Sequence, residues 1–153
     1  MIKNLRLVLL IFFVSNCGFK IVDNENLYNF SVTDINISGD KRIGFNIKND
    51  LLRNKSDKGK IELEININKG KEIKEKNLGN EVTKYEIIIN VKIDYNIISK
   101  DRSGTFTISK KGNYVVQDQY SETLIQERNL IDNLSDKIVG EIQENLSKLT
   151  YDS

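Results

Sequence analysis

The sequence predicts an α+β fold, a two-layer sandwich in which a four-stranded antiparallel or mixed sheet packs against two helices in the order β-α-β-β-β-α. Apolar and polar residues alternate strictly over residues 61–67, and apolar residues occupy every second position over residues 85–97, which places these apolar side chains on one face of each strand. Residues 122–149 instead repeat apolar residues every three or four positions, as an amphipathic helix does. Because each element has one apolar face, a helix layer on one side of a sheet buries both.

The first two elements are a strand and a short helix. Residues 30–37 are rich in β-branched residues, and Gly39 followed by Asp40 ends the strand. Asp40 is a residue type that caps the start of a helix. Apolar residues then recur every four positions, at Ile43, Ile47 and Leu51. The polar segment 54–59 ends this helix before the alternating residues of the second strand begin.

The sheet continues through two further strands. The alternating segments already described form the second and third strands, and residues 100–104 supply a turn after the third. A fourth strand is predicted over residues 105–108. It is expected to be interrupted and to continue at residues 114–116, beyond Gly112. Clean alternation is typical of a sheet with one face in water.

The last element is the strongest helix signal in the chain. Its apolar stripe consists of Leu124, Ile131, Leu134, Ile138, Ile142, Leu146 and Leu149. A helix of about 28 residues starting at Glu122 would be ~42 Å long. We therefore expect it to lie across the sheet along most of the length of the long strands.

The N-terminus has the layout of a signal peptide. Lys3 and Arg6 precede an apolar run at residues 7–14, which is shorter than the ~20 residues that a membrane-spanning helix needs. The alternative is an apolar first element of a cytosolic fold. We expect residues 1–16 to be a signal peptide that is removed. Its removal takes away two bases and no acid, so the formal net charge changes from +1 to −1.

Cys17 directly follows this segment and is the only cysteine, so no intramolecular disulfide can form. A lone thiol in an exported protein indicates an intermolecular bridge or a modified residue. Residues 14–17, Val-Ser-Asn-Cys, resemble a bacterial lipobox, which implies lipidation at Cys17. Each buried methylene of an acyl chain contributes about 0.8 kcal/mol, so several chains hold a protein at a membrane. The chain then divides into a lipidated N-terminus and tether, residues 17–29, and a single α+β domain, residues 30–150.

The composition argues against several classes of function. The chain contains no histidine, and the mature charge is near neutral, so we expect no metal site, no cofactor and no nucleic-acid partner. Carboxylate pairs at Glu62 with Glu64 and at Glu72 with Glu75 are available for acid–base chemistry. Their placement on a polar strand face and in a charged hairpin favours solvated surface instead. We therefore expect a protein without enzymatic activity.

Two lysine clusters are candidate binding residues. Lys69 and Lys71 lie in the segment that joins the second strand to the third, and Lys110 and Lys111 follow the fourth strand. Lysine ammonium groups bind anionic headgroups or phosphates as point charges. The alternative is an ordinary solvated hairpin surface.

Several segments in order resemble the LPS-assembly lipoprotein family, LptE. They are Gly18-Phe19 after the lipobox, Ile37-Ser-Gly-Asp40 at the end of the first strand, the alternating strand from Tyr85, and the segment Tyr114-Val-Val-Gln-Asp-Gln-Tyr120 before the last helix. The likeness covers almost the whole chain but depends on element order more than on one motif. The family often has a proline shortly after Gly-Phe, whereas this chain has no proline.

The resemblance implies a lipoprotein anchored on the periplasmic side of the cell outer membrane. Such a protein would be the partner and plug of the β-barrel LPS translocon protein LptD, would assist assembly of that barrel, and would contact lipopolysaccharide. Under this resemblance the expected lipopolysaccharide contacts are the four lysines named above. Alternatives from other classes are a periplasmic solute-binding or signalling lipoprotein, which should have a concave apolar pocket, and a small hydrolase, which should have converging carboxylates.

Overall fold

The computed structural model describes residues 28–53, 56 and 59–151. The elements are β1 (Ser31–Gly39), α1 (Lys41–Leu52), β2 (Lys60–Lys76), β3 (Val82–Ile97), a 3-10 turn (Ile98–Lys100), β4 (Arg102–Val115) and α2 (Tyr120–Tyr151). This is the predicted order, and the predicted α+β class is confirmed. The predicted signal peptide, Cys17 and most of the predicted tether lie outside the described residues. Neither of the two described helices is long and apolar enough to span a membrane.

The four strands form one mixed sheet in the order β1-β2-β3-β4. β1 runs parallel to β2, whereas the β2–β3 and β3–β4 pairs are antiparallel. A parallel pair needs a crossover connection, and α1 supplies it between β1 and β2. The sequence allowed an antiparallel or a mixed sheet, and the sheet is mixed.

Both helices pack on one face of the sheet, here termed the helix side, and the opposite face is the outer side. The helix side carries an isoleucine-rich core to which every strand and both helices contribute. Five of the seven predicted stripe residues of α2 are buried: Ile131, Leu134, Ile138, Ile142 and Leu146. Leu124 and Leu149 at the two ends of the stripe are partly exposed. The predicted core face of α2 is thus confirmed.

The structure differs from the sequence prediction at several boundaries. β3 begins at Val82, and β4 begins at Arg102, inside the turn predicted at residues 100–104. β2 continues to Lys76 because residues 70–76 pair with β3, although the one apolar side chain among them, Ile73, is exposed. β4 is continuous through Gly112, where a Cβ atom would lie 2.7 Å from Leu130 Cδ1. This glycine therefore gives space to α2 and does not interrupt the strand. α2 begins at Tyr120, two residues before the predicted start.

The turn between β1 and α1 depends on Gly39. Its φ angle is +94°, a conformation that side-chain-bearing residues rarely adopt, and a Cβ atom here would collide with the carbonyl oxygen of Ile67. Immediately after it, the backbone N–H of Asp40 donates to the same carbonyl, at 3.3 Å. The chain thus leaves β1 in close contact with β2.

The sheet has two distinct ends. Ser31 pairs with Lys60, and Ile97 pairs with Arg102, at the end where the chain enters the domain; this end is termed the base. The β2–β3 hairpin turn, residues 77–81, forms the opposite end, termed the tip. The ammonium of Lys100 donates to the carbonyl of Thr150 at 2.9 Å, which places the C-terminal end of α2 at the base.

Candidate functional site

The predicted lysines lie on two different faces of the sheet. Lys69 and Lys110 both pair with Ile89, whose side chain is buried on the helix side. Lys71 follows Lys69 by two residues and shares its face, because the side-chain period of a strand is two. Lys111 follows Lys110 by one residue and therefore points to the outer side. Three of the four lysines thus share the helix side, and the fourth lies on the outer side.

Lys69 fixes the start of α1 to β2. Its ammonium lies 2.7 Å from a carboxylate oxygen of Asp40, the N-cap residue of α1. The same carboxylate accepts hydrogen bonds from the backbone N–H groups of Arg42 and Ile43, at 3.1 Å each. Partial burial raises the pKa of Asp40, but the bonds from Lys69 and the backbone outweigh burial and hold that pKa below its usual value. This cap satisfies N–H groups that a helix terminus leaves unpaired.

Lys71 belongs to a compact cluster near the tip, termed the tyrosine cluster, with Tyr85, Tyr114 and Glu127. The ammonium of Lys71 lies 2.6 Å from a carboxylate oxygen of Glu127, and the hydroxyl of Tyr114 donates to the same oxygen at 2.7 Å. The rings of Tyr85 and Tyr114 stack with their centroids 5.6 Å apart. Lys71 also lies over the Tyr85 ring, 4.3 Å from its centroid, within the range of a cation–π contact.

Lys71, Tyr114 and Glu127 of the tyrosine cluster stabilise each other in their ordinary ionisation states. Burial raises the pKa of Glu127, but the hydrogen bonds from Lys71 and Tyr114 outweigh it and lower that pKa overall. Burial lowers the pKa of Lys71, but its bonds to Glu127 and Tyr114 raise that pKa overall. Burial and the bond to Glu127 raise the pKa of Tyr114. The cluster is therefore a fixed cross-link between β2, β4 and α2.

The last two lysines have contrasting surroundings. Lys110 forms an ion pair with Glu141 of α2, so it also ties the sheet to the helix. Lys111 is exposed on the outer side and has no ion pair within the described part of the chain. Three of the predicted lysines thus have carboxylate partners. Their contact with lipopolysaccharide stays a prediction.

A shallow cleft adjoins the tyrosine cluster, a feature that the sequence did not predict. It has a volume of about 290 Å³. It lies between Tyr85 of β3, Val116 just after β4, and Tyr120 and Leu124 of α2. The side chain of Tyr120 is 77% exposed at its rim. The aromatic residues at the ends of β3 and β4 and at the start of α2 were the available signal for such a cleft.

The outer side of the sheet is polar and uncovered. Glu62 and Glu64 are exposed there, which confirms their predicted position on the polar face of β2. With Asp34 and Asp94 they line an open depression near the base. Hydrogen bonds from Thr105 and Lys92 lower the pKa of Asp94. Over the part of the chain that the structure describes, no group of three or more acidic, histidine or cysteine side chains is placed to hold a metal ion.

The fold, a four-stranded sheet with both helices on one face, is similar to the folds of several bacterial lipoproteins. Lipoprotein B from Nitrosomonas europaea matches with a TM-score of 0.60 at 16% sequence identity, over 88% of this chain and 94% of that chain. Rare lipoprotein B from Shewanella oneidensis matches with a TM-score of 0.57 at 12% identity, over 76% of this chain and 95% of that one.

A lipoprotein from Caulobacter crescentus matches with a TM-score of 0.55 at 12% identity, over 78% of this chain and 92% of that chain. No family model matches the sequence, and no curated protein matches it. At these identities the likeness is one of fold. The sequence resemblance and the fold likeness both lead to proteins described as lipoproteins.

Proposed function

We propose that this protein is a lipid-anchored, non-enzymatic envelope protein, held through Cys17 on the periplasmic side of the outer membrane. In this proposal it assists assembly of the β-barrel LPS translocon and the insertion of lipopolysaccharide, as a partner and plug of the barrel protein LptD. The observation that carries the proposal is the likeness of the whole domain to the folds of bacterial lipoproteins. The lipobox-like segment before Cys17 and the resemblance to the LptE family support it.

The geometry suits a plug because the domain is cross-linked and polar on its outside. Lys69, Lys71 and Lys110 each connect a strand to a helix or to its cap, at three separate places. These pairs resist sliding of the helix layer over the sheet. The outer side presents carboxylates, amides and hydroxyls, the side-chain chemistry that suits the polar interior of a large β-barrel.

A solute-binding lipoprotein is the second candidate, and the cleft beside the tyrosine cluster is the observation that favours it. Its volume of about 290 Å³ is at the lower end of the range for small-molecule pockets. The charged groups at its floor, Lys71 and Glu127, already satisfy each other. The cleft therefore offers a prospective ligand few unpaired polar groups, and the plug remains the preferred function.

Purification from envelopes tests the main proposal. We expect the native protein to begin at Cys17, to carry acyl chains there, and to bring a large β-barrel protein with it from detergent extracts. Mass spectrometry identifies both the N-terminal residue and the barrel. The variant Cys17→Ser should keep residues 1–16 and recover no barrel. An unacylated Cys17 would reject the anchor, and an acylated protein without a barrel would reject the translocon role alone.

The lysine prediction has its own test. Replacing Lys69, Lys71, Lys110 and Lys111 together by Gln should weaken lipopolysaccharide binding, most strongly at low salt, because screening shortens electrostatic range to ~8 Å near physiological ionic strength. Each lost surface ion pair should cost no more than about 1 kcal/mol of folding stability. The binding constant is measured by titration with lipopolysaccharide.

The matched control removes the same number of positive charges elsewhere. It changes four exposed residues to Gln, namely Lys41, Lys48, Arg128 and Lys137. Equal weakening in both quadruple variants would mean that only net charge matters and would reject a specific lysine site. A variant in which only Lys69, Lys71 and Lys110 are changed keeps Lys111. If it still binds lipopolysaccharide, the contact is on the outer side.

A further inference from the structure

Two large apolar side chains are exposed at the base of the domain. Ile98 is 49% exposed at the start of the 3-10 turn, and Tyr151 is 69% exposed at the end of α2. The hydrogen bond between Lys100 and the carbonyl of Thr150 joins these two segments. Single exposed apolar residues are normal on protein surfaces. Ile98 and Tyr151 therefore indicate a binding surface only in combination with the charged residues around them.

The same end carries exposed basic residues. Lys60 and Arg102 are exposed, and neither has an ion pair within residues 28–53, 56 and 59–151. Arg53, at the end of α1, is 79% exposed and pairs with Asp50. Tyrosine and aliphatic side chains beside Lys and Arg are the combination found where proteins meet the headgroup layer of a bilayer.

The chain enters the domain at the base, so an anchor at Cys17 would lie nearer to the base than to the tip. Tyr28 and Phe30 lead into β1 at the base, and the Phe30 side chain is fully buried there. The twelve residues from Cys17 to Tyr28 span at most ~40 Å when extended. β2 has 17 residues and places the tip ~55 Å from the base. A lipid at Cys17 therefore holds the base within ~40 Å of the bilayer, whereas the tip lies at the far end of the domain.

We infer that the base is a docking surface for anionic phospholipid headgroups. Ile98 and Tyr151 enter the headgroup layer, while Lys60 and Arg102 contact the lipid phosphates. The orientation rests on the proposed anchor at Cys17, but the surface itself does not need the acyl chains.

Vesicle binding by the mature chain without acyl groups, residues 17–153 with Cys17→Ser, tests the inference. We expect it to sediment with vesicles of phosphatidylglycerol and phosphatidylcholine, and to remain in the supernatant with phosphatidylcholine alone. The variant Lys60→Gln with Arg102→Gln should bind the anionic vesicles more weakly, by about fivefold for each charge removed. The variant Ile98→Asn with Tyr151→Asn should also bind more weakly, because apolar insertion is lost.

A control with the same loss of charge separates local contact from net charge. Arg128→Gln with Lys137→Gln removes two positive charges from exposed positions of α2 away from the base and should bind like the parent. Equal losses in the two charge variants, or no sedimentation of the parent with anionic vesicles, would overturn the inference. Circular dichroism confirms that each variant is folded. Because acylation is not involved, this result is independent of whether the anchor and the translocon role hold.

Discussion

The substitution Ile142→Asp is expected to unfold the domain. Ile142 is completely buried in the stripe by which α2 packs on the sheet. An unpaired buried charge costs several kcal/mol, against a total stability of about 5–15 kcal/mol for a typical domain. Urea unfolding followed by circular dichroism should show a lost or strongly shifted transition, with α2 released from the sheet.

Glu141→Asp is the control for this substitution. Glu141 precedes Ile142, is partly exposed and pairs with Lys110, so the shorter acid keeps the charge and loses at most one surface ion pair. We expect a change within about 1 kcal/mol. Equal unfolding midpoints for Ile142→Asp and the parent would show that α2 packs through a different face.

Gly39→Ala should be the most damaging of the small substitutions. The φ angle of +94° is unfavourable for alanine, and the new methyl group would meet the carbonyl oxygen of Ile67. Conformational strain and the forced displacement of β1 from β2 should together remove roughly 2–4 kcal/mol of stability. The free energy of unfolding in urea measures the loss.

Gly140→Ala is the control: it is the same substitution, but we expect it to raise the stability of the domain and not to lower it. Gly140 lies on the exposed face of α2, and a Cβ atom there would have nothing within 4 Å. Alanine is the better helix former, so this variant should be more stable by about 0.5–1 kcal/mol. A similar loss in both variants would contradict the role assigned to the turn at Gly39.

The parts of the fold that bury one face were predictable from sequence. The alternation in residues 61–67 and the stripe in α2 each mark a surface that lies on the core, and both predictions hold. Periodicity disappears where no core lies above the strand, which is why the extension of β2 to Lys76 was missed. The continuity of β4 was missed because a glycine that accommodates Leu130 has the same sequence signature as a glycine that ends a strand.

The candidate residues were identifiable, but their partners were not. The period of a strand sets the face of Lys71, whereas the position of Glu127 above it depends on how α2 crosses the sheet, 56 residues later. Adjacent residues of a strand point to opposite sides, so the separation of Lys110 from Lys111 was available from the sequence once both were placed in β4. The sequence period therefore predicts which face of the sheet a side chain occupies, whereas its partner depends on how the helix packs on that face.

The parallel pairing of β1 with β2 has a mechanical consequence for an anchored protein. The chain enters β1 at the base, so tension from a membrane anchor acts along the axis of β1 and away from the body. The hydrogen bonds that pair Ser31–Gly39 with β2 run across that axis, so they resist the force together. A hairpin pulled apart from one end loses its hydrogen bonds one after another. Phe30, buried immediately before the strand, would have to leave its pocket before the ladder slides. A membrane tether that enters at this point would thus load the domain in shear, the direction in which all the ladder bonds of a short strand act together.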